Sequence, residues 1–321
     1  MALLQEFPTE TLAVVLEEPE KLGLRRLALP SPGDADVVID VEWSGISTGT
    51  ERLLYTGRMP HFPGMGYPLV PGYESVGRIS WAGPAAGISV GERVFIPGAN
   101  CYGEVRGLFG GTASRIVMPG ARAIPIAESL GEQGILFALS ATAHHAAFSD
   151  KGVPADLIIG HGVLGRLIAR IVVASGAPAP TVWEKNPARF DGAQGYTVLD
   201  PDQDPRRDYR VICDVSGDST IIDSLVARLA PGGEIVLAGF YADRLSFSFP
   251  PAFMKEARFR VAAQWQKADI ASVSKLVDSG LLSFDGLITH RVSADNAPAA
   301  YRTAFEDPAC LKMVLDWRTL A

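Results

Sequence analysis

The sequence contains few cysteines, and it lacks long apolar runs and runs of basic residues. Cys101, Cys213 and Cys310 are widely separated, which excludes a disulfide framework and a four-cysteine zinc site. The formal net charge is −7, and an acidic chain without a lysine or arginine cluster has no electrostatic footprint for nucleic acid. No apolar run approaches the roughly 18 residues that a membrane-spanning helix needs. We therefore expect no nucleic-acid partner and no integral membrane segment.

The first residues also lack the features of a secretion signal. Residues 1–8 include Gln5 and Glu6, with neither a basic start nor a long apolar stretch. Without such a signal we expect the protein to be cytoplasmic. The length of 321 residues exceeds what a single hydrophobic core usually supports, so two lobes are expected.

The strongest motif is a glycine-rich turn between an apolar strand and an amphipathic helix. Residues 157–159 are short and apolar, and Gly160, Gly162 and Gly165 follow as G-x-G-x-x-G. In a dinucleotide site the first glycine permits the tight turn, and the second lets a pyrophosphate approach backbone N–H groups. The third lets the helix pack close to its strand. The alternative is a glycine turn in an α/β domain that binds no ligand.

An acidic residue stands where such sites bind the adenosine ribose. The next predicted strand, residues 181–183, is followed by Glu184, and an acid about 20 residues after the glycines binds the ribose hydroxyls. It would repel a 2′-phosphate, so NAD is favoured over NADP, although the neighbouring Lys185 weakens this preference. The predicted cofactor site comprises Gly160, Gly162, Val163, Leu164, Gly165, Glu184, Lys185, Arg189, Val215, Ser216, Gly239 and Phe240.

The order of predicted elements indicates an α/β protein with two domains. Strands and helices alternate in the middle third, which predicts a doubly wound parallel sheet of the Rossmann type over residues 126–268. Residues 1–125 and 269–321 form the predicted β-rich catalytic lobe, to which a helix at 269–280 returns. One predicted helix runs from Ser129 to Phe148, and another ends near 191–195. The other predicted strands are 12–16, 37–41, 75–80, 93–96, 114–118, 197–199, 210–214, 234–238, 258–262, 287–292 and 313–317.

Two segments of the first lobe are predicted to be loops at a site. Residues 43–51 are rich in hydroxyls and glycine, which is unusual for a packed element. Residues 52–73 combine aromatic side chains and methionines with four prolines, so helix is disfavoured and a loop over a pocket is expected.

This arrangement resembles the medium-chain alcohol dehydrogenase superfamily, and the resemblance covers nearly the whole chain. It implies a GroES-like catalytic lobe. In that family Gly-His-Glu and Ser-Gly-x-Cys-Gly-Thr-Asp motifs supply the catalytic zinc ligands, whereas this chain has Gly-Tyr-Glu at 72–74 and Ser47 within 44–51. Because a hydroxyl and a phenol bind zinc poorly at neutral pH, we predict no catalytic zinc. Only Cys101 stands where the family's structural zinc needs four cysteines, so that zinc is also predicted to be absent.

Residues 43–60 and 64–74 are similar to one branch of the superfamily, the dehydrogenases of bacteriochlorophyll synthesis. The resemblance implies oxidation of the 3-(1-hydroxyethyl) group of a bacteriochlorophyllide to 3-acetyl with NAD. By family analogy it also implies a homodimer. Because the later pigments of this pathway reside in membranes, transient contact with a membrane surface is compatible with this assignment.

The catalytic candidates follow from the position of the family's metal site. Without a metal, the alcohol proton needs a side-chain route, and Ser47, Thr48, Tyr73 and Glu74 occupy that position. We expect Tyr73 to contact the alcohol oxygen, with Glu51 or Glu74 tuning it or relaying the proton. Alternatively, Tyr73 and Glu74 only pack, and positioning of the reactants does most of the catalysis.

Three histidines near the nucleotide unit are weaker candidates. His144 and His145 are neighbours on a predicted helix, so at most one is expected to point into a cleft. We count His145 as a catalytic candidate that contacts the nicotinamide or relays a proton, with a purely structural role as the alternative. His161 lies inside the glycine turn and is expected to point to solvent.

The apolar loop suits a large flat ring, because aromatic and methionine side chains cover broad surfaces. Arg52 or Arg58 would pair with the substrate propionate, and His61 would approach the central magnesium of the chlorin. The predicted substrate residues are Arg52, Tyr55, Arg58, Met59, His61, Phe62 and Met65. Alternatively, the apolar members of this set close the core of the lobe itself.

Two other functions remain open from the sequence. One is a zinc-free quinone or enone reductase that uses NADPH, against which Glu184 argues. The other is a nucleotide-binding protein without turnover, in which the hydroxyl-rich segment merely packs.

Overall fold

The computed structural model describes residues 9–320, and the chain divides into two compact units. Among the described residues, one unit holds 9–136 and 288–320, and the other holds 137–287. These boundaries differ from the predicted 125/126 and 268/269. The difference arises because a 3₁₀ stretch, Glu128–Leu136, packs on the first unit's sheet, whereas the predicted returning helix packs within the second unit. Residues 1–8 and 321, which the domain and localisation predictions include, lie outside the described residues.

The first part of the chain is rich in strands, as predicted. Its elements are β1 (Glu10–Glu18), β2 (Lys21–Ala28), β3 (Asp36–Ile46), α1 (Thr50–Tyr55), β4 (Leu69–Val70), β5 (Ser75–Ala82), β6 (Arg93–Ile96), β7 (Arg106–Gly107), β8 (Arg115–Pro119) and β9 (Ile124–Pro125).

The second unit alternates helices and strands. Its elements are α2 (Phe137–Ala147), β10 (Leu157–Ile159), α3 (Val163–Ala174), β11 (Thr181–Trp183), β12 (Thr197–Leu199), β13 (Tyr209–Asp214), α4 (Ile222–Arg228), β14 (Leu229–Leu237), α5 (Phe249–Met254), β15 (Arg258–Val261) and α6 (Lys267–Asp278). The strands are parallel and lie in the order β12-β11-β10-β13-β14-β15. This is the strand order of a doubly wound dinucleotide fold, with its switch point between β10 and β13, so the predicted Rossmann sheet is confirmed.

The chain then returns to the first unit through β16 (His290–Ser293), α7 (Ala297–Glu306) and β17 (Met313–Asp316). One sheet has the order β2-β1-β4-β7, and the other has the order β16-β17-β3-β5-β6-β9, with β8 pairing on β3. Because β17 runs antiparallel to β3, Met313 stands opposite Ile46. This register brings the C-terminal segment beside the predicted site residues. No helix within residues 9–320 is long and apolar enough to span a membrane.

Several local predictions are wrong, each for an identifiable reason. Residues 43–46 belong to β3 rather than to a loop. Helix α1 spans the junction of the two predicted loops, because the prolines of the second loop start only at residue 60. Strand β2 was not predicted, since most of its side chains are exposed or half-buried and its apolar pattern is weak. Helix α7 was also not predicted. Residues 191–195 end no helix; only a 3₁₀ turn, Pro187–Arg189, precedes them.

Helix α6 does not return to the first lobe. It packs on α2, and Asp269 near its start contacts two histidines of that helix. The predicted helix beginning at Ser129 is also interrupted: Gly131 has non-helical dihedral angles, and regular α-helix begins only at Phe137.

Candidate active site and dinucleotide site

The three glycines between β10 and α3 occupy three different environments. Gly160 has a φ of +101°, which favours glycine. A Cβ on Gly165 would collide with the carbonyl oxygen of Gly160, so this position holds the helix close to its strand. Gly162 is the N-cap of α3, and apart from its two chain neighbours no described residue has an atom within 4 Å of where its Cβ would be. One glycine makes the turn, one allows close packing, and one leaves an open cradle.

The open cradle lies at a helix N-terminus, where backbone N–H groups attract anions. Val163 and Leu164 form the first turn of α3, and no side chain caps this end of the helix. The backbone N–H groups of this turn therefore remain available for a pyrophosphate. These features fit a dinucleotide.

A cavity of about 300 Å³ opens at the carboxyl ends of β10, β11 and β13. In open α/β sheets this edge, at the switch point, is where ligands bind. Its lining includes Gly160, Glu184, Lys185 and Ser216, four of the predicted cofactor residues. The position suits the adenosine half of a dinucleotide.

Glu184 is held in place by backbone groups around the glycine turn. Its Oε2 accepts from the N–H of His161 at 3.0 Å, and its Oε1 accepts from the N–H groups of Lys185 and Asn186 at 2.9 and 2.8 Å. The carboxylate thus connects the end of β11 to the turn after β10. Lys185 itself is exposed.

His161 does not point to solvent, and that prediction is wrong. Its side chain is fully buried: Nδ1 donates to the carbonyl oxygen of Arg189 at 2.6 Å, and Nε2 accepts from the hydroxyl of Tyr196 at 2.8 Å. This proton arrangement follows because a carbonyl oxygen can only accept. Burial lowers the pKa of His161 to about 4, so the ring is neutral. His161 therefore fixes residues 189 and 196 against the glycine turn.

The remaining predicted cofactor residues follow β13 and β14. Val215 packs 3.6 Å from the Cβ position of Gly160, and the N–H of Gly239 donates to the carbonyl oxygen of Asp214. The side chain of Asp214 accepts from the N–H of Ser216 at 2.9 Å. Phe240 is 46% exposed, so its ring is accessible to a ligand.

In the first unit, Tyr73 and Ser47 are directly hydrogen-bonded. The Tyr73 hydroxyl lies 2.7 Å from Ser47 Oγ and 3.4 Å from Thr50 Oγ1. Burial, with Glu74 adding to the effect, raises the pKa of Tyr73 far above its usual value, so the phenol stays protonated at neutral pH. The structure does not place Thr48 in this cluster: Thr48 is exposed, and Thr50 reaches Tyr73 instead.

Glu51 lies fully buried beside this pair. Its Oε1 accepts from the backbone N–H of Ser47 at 3.0 Å, and its Oε2 accepts from the hydroxyl of Tyr301 at 2.6 Å. Burial raises the pKa of Glu51 from 4.5 to about 7, although the two hydrogen bonds and Lys312 oppose this shift. Glu51 thus positions the backbone at Ser47 and changes charge near neutral pH.

This raised pKa predicts a pH-dependent stability. The folded protein holds a proton on Glu51 that the unfolded chain releases above pH 4.5, so the free energy of unfolding should fall as pH rises to about 7 and not fall further through this group. Relative to Glu51→Gln, the wild type should lose about 3 kcal/mol over this range. Urea unfolding of both proteins at pH 5 and pH 8 measures the change. If the difference in the free energy of unfolding between the two proteins were the same at both pH values, this prediction would be contradicted.

Glu74 forms a buried ion pair that the sequence did not reveal. Its Oε2 accepts from Lys312 Nζ at 2.6 Å, and Lys312 also donates to the carbonyl oxygen of Ile46 at 3.2 Å. Lys312 and Tyr301 were missed because they are 238 and 250 residues from their partners. The one available signal was a lysine immediately before the apolar strand β17, since a lysine is almost never fully buried unless it is paired.

This set of donors does not fit a catalytic zinc ion. Ser47 and Tyr73 bond to each other, Tyr73 remains protonated, and the Glu74 carboxylate is paired with an ammonium group. Zinc favours thiolate, imidazole and free carboxylate ligands. In the described part of the chain, no group of three or more His, Cys, Asp or Glu side chains could hold a metal ion.

His144 and His145, of which at most one is expected to point into a cleft, both contact Asp269. The Nδ1 atoms lie 2.8 and 3.2 Å from the two carboxylate oxygens. Adjacent helix residues diverge by about 100°, and the carboxylate lies between them. Both rings join α2 to α6.

The predicted substrate loop contributes to a small core. Met59 is 6% exposed and packs with four leucines, while Tyr55, Phe62 and Met65 are half-buried against the same cluster. This supports the alternative for Met59, namely that it closes the lobe's own core. The polar members of the predicted set, Arg52, Arg58 and His61, are exposed.

Comparison with known proteins agrees with this architecture. Residues 33–128 match the alcohol dehydrogenase GroES-like domain. Two solved structures share the fold: a short chain alcohol dehydrogenase of E. coli CFT073 complexed with NADH, and a dehydrogenase of Sinorhizobium meliloti 1021 bound to NADP. Their TM-scores are 0.82 and 0.78 at 22% and 20% identity, covering 96% of this chain and 100% of each structure.

A curated relative is far more similar. The 2-desacetyl-2-hydroxyethyl bacteriochlorophyllide A dehydrogenase of Rhodobacter capsulatus is 55% identical over 311 residues, which cover 96% of this chain and 99% of the relative. The predicted resemblance to dehydrogenases of bacteriochlorophyll synthesis is confirmed. This chain belongs to the family of the 2-desacetyl-2-hydroxyethyl bacteriochlorophyllide A dehydrogenases, within the medium-chain alcohol dehydrogenases.

Proposed function

We propose that this protein oxidises the 3-(1-hydroxyethyl) group of a bacteriochlorophyllide to 3-acetyl, with NAD as the hydride acceptor and without catalytic zinc. The observation that carries the proposal is the 55% identity, over almost the whole of both chains, to a dehydrogenase named for a hydroxyethyl bacteriochlorophyllide. The oxygen-rich cluster around Tyr73 supports the metal-free chemistry.

In this proposal the Tyr73 hydroxyl accepts the proton of the substrate alcohol while passing its own proton to Ser47, and Ser47 releases its own proton to water. The 2.7 Å separation of Tyr73 and Ser47 suits such a transfer. Because the raised pKa of Tyr73 disfavours a tyrosinate, the transfers occur together. Bound NAD supplies the hydride acceptor for the carbinol carbon.

The test is to incubate purified protein with NAD and the hydroxyethyl pigment. NADH absorption should rise while the pigment spectrum shifts to that of the acetyl product. NADH binding without any turnover would contradict the proposal and would favour a nucleotide-binding protein. Reduction of quinones or enones with NADPH, without pigment oxidation, would favour the reductase.

The preference for NAD over NADP is assigned to Glu184, which lines the cavity after β11. Glu184→Ala removes an acceptor for ribose hydroxyls and the charge that repels a 2′-phosphate. We expect NAD affinity to fall about tenfold, because hydrogen bonds to a charged group contribute roughly 1.5–3 kcal/mol each. Fluorescence titration with NADH and NADPH measures both affinities.

Glu184→Gln provides the matched control for that experiment. Its amide oxygen can accept from the N–H groups of Lys185 and Asn186, so only the acceptor for the His161 N–H is lost together with the negative charge. The ratio of NADH to NADPH affinity should fall in both variants. An unchanged ratio would remove Glu184 from the cofactor assignment.

The substrate contacts form part of the same proposal. The exposed Arg52 and Arg58 would pair with the propionate, and His61 would lie near the chlorin magnesium. Tyr55, Phe62 and Met65 are half-buried and retain accessible surface for a flat ring. Arg52→Gln and Arg58→Gln should raise KM for the pigment more than they lower kcat; unchanged KM values in both would remove the arginines from the substrate site.

We also propose a homodimer in the cytoplasm, with transient contact to membranes that hold later pigments. Strand β15 ends the order of the parallel sheet, with Phe259 and Val261 38% and 72% exposed. An open edge with apolar side chains favours pairing with a second copy. Sedimentation should show the mass of two chains for the wild type and of one chain for Val261→Lys. A monomeric wild type would contradict the dimer, and failure to co-sediment with pigment-bearing vesicles would contradict the membrane contact.

A further inference from the structure

Lys312 brings a positive charge into the buried polar cluster of the first unit. It precedes β17, and the pairing of Met313 with Ile46 aims its side chain at the end of β3. The side chain is only 3% exposed, and Nζ donates to Glu74 Oε2 at 2.6 Å and to the carbonyl oxygen of Ile46 at 3.2 Å. Ile46 immediately precedes Ser47, and Glu74 immediately follows Tyr73. One ammonium group therefore joins the two segments that carry the hydrogen-bonded hydroxyls.

The surroundings hold Glu74 against this ammonium group. The backbone carbonyl of Glu74 accepts from the N–H of Gly45 at 2.8 Å. A Cβ on Gly45 would lie 2.7 Å from Glu74 Oε2 and 2.9 Å from Ile135 Cδ1, so glycine is needed for this close approach. The strand end and the residues around 74 form one tightly packed unit.

Lys312 is the described hydrogen-bond partner of the Glu74 carboxylate. Within residues 9–320, the buried Oε1 of Glu74 has no hydrogen-bond partner, so Lys312 alone satisfies the carboxylate through Oε2. Removing one member of a buried ion pair leaves the other uncompensated. An uncompensated carboxylate next to Tyr73 would oppose the electron density that collects on the phenol oxygen as its proton moves toward Ser47.

We propose that Lys312 is a positioning residue of the dehydrogenase reaction: it holds Ser47 and Tyr73 at relay distance and cancels the charge of Glu74 beneath them. This inference rests on the proposed function. It assigns a catalytic purpose to a pair that would otherwise be only a buried structural contact. A purely structural role predicts instead that replacing the whole pair has little effect, because replacing a buried ion pair by apolar side chains often leaves stability unchanged.

The test compares Lys312→Met, Lys312→Arg and the double variant Lys312→Met with Glu74→Leu. The double variant removes both charges, so its melting temperature should return close to the wild-type value. Its kcat for the hydroxyethyl pigment should nevertheless stay about tenfold or more below wild type, because small displacements of reacting groups are costly. Lys312→Arg should recover part of the kcat lost in Lys312→Met. NADH affinity, which depends on the second unit, should be unchanged throughout.

A matched control is Lys21→Met, which breaks the exposed pair of Lys21 with Glu18 in the same unit. Its melting temperature and kcat should both equal those of the wild type. A double variant at Lys312 and Glu74 with wild-type kcat would overturn the positioning role.

A second measurement separates this inference from the proposed function. In protein labelled with ¹³C at tyrosine Cζ, the Tyr73 resonance is assigned by its loss in Tyr73→Phe. It should move in the double variant and stay in place in Lys21→Met. Absence of pigment turnover by the wild type would refute the proposed function. The Tyr73 resonance would still test the role of Lys312, because an unmoved resonance in the double variant would refute that role.

Discussion

Replacing Tyr73 by phenylalanine is expected to lower kcat for the hydroxyethyl pigment by about 100-fold, with NADH affinity unchanged. The substitution removes only the hydroxyl that contacts Ser47 at 2.7 Å, and the ring can keep its edge-on contact with Phe109 at a centroid distance of 5.2 Å. The alcohol proton then has no route to Ser47 through this side chain. Steady-state kinetics with pigment and NAD, together with NADH fluorescence titration, measure the two quantities.

Tyr102→Phe is the matched control for this substitution. The Tyr102 hydroxyl is also buried in the first unit, but it donates to the carbonyl oxygen of Gly110 at 2.6 Å. Its loss should cost about 1 kcal/mol of stability and leave kcat unchanged. Equal kcat values for Tyr73→Phe and the wild type would eliminate Tyr73 from proton handling.

The largest effect on cofactor binding is expected for Gly162→Val. Gly162 has ordinary extended dihedral angles, and the described neighbours leave its Cβ position open, so the fold should accept valine with little change in melting temperature. The new side chain would fill the cradle at the start of α3. Losing two charge-assisted hydrogen bonds to the pyrophosphate should weaken NADH binding by about 100-fold or more. Fluorescence titration measures the NADH affinity, and thermal unfolding measures the melting temperature.

Two further glycine variants serve as controls. Gly23→Val places the same residue at another open glycine, in β2 of the first unit, and should bind NADH normally. Gly165→Val should have a lower melting temperature and also weaker NADH binding, because the new Cβ would collide with the carbonyl oxygen of Gly160. Wild-type NADH affinity in Gly162→Val would show that no pyrophosphate approaches this turn.

The sequence predicted best the features that are local in the chain. The strand, glycine turn and helix around Gly160 lie within some twenty residues, and each residue type there has a direct steric reason. Strands such as β6 and β12 have the predicted bounds, because short apolar runs between turn residues are a strong local signal. The overall order of elements then sufficed for the Rossmann sheet.

The contacts that shape the catalytic cluster could not be predicted in this way. Lys312 and Tyr301 reach Glu74 and Glu51 only because β17 pairs with β3 and α7 packs in the same unit. No periodicity in the sequence records such long-range pairing. The loop at 43–51 was mispredicted for a related reason: its small polar residues suggested exposure, yet Ser44 is buried and its hydroxyl accepts from the Trp317 indole.

The positions at which this chain departs from the family's zinc-binding motifs were informative. The serine at position 47 and the tyrosine at position 73 suggested proton handling by oxygen groups, and the structure places these two side chains in direct contact. It adds that an ion pair fills the space behind them, with the Lys312 ammonium 2.6 Å from Glu74. A buried cation thus lies close to the segment where zinc-dependent relatives have a metal ligand.

The central claim is that this site transfers a hydride from the pigment's alcohol carbon to NAD without a metal. The most direct measurement uses hydroxyethyl bacteriochlorophyllide deuterated at the carbinol carbon, with protein exhaustively treated with a chelator that strips zinc. We predict one equivalent of NADH per acetyl pigment, carrying the deuterium on its nicotinamide ring. Turnover that vanishes with the chelator and returns with zinc, or deuterium that appears in water instead of NADH, would contradict the claim.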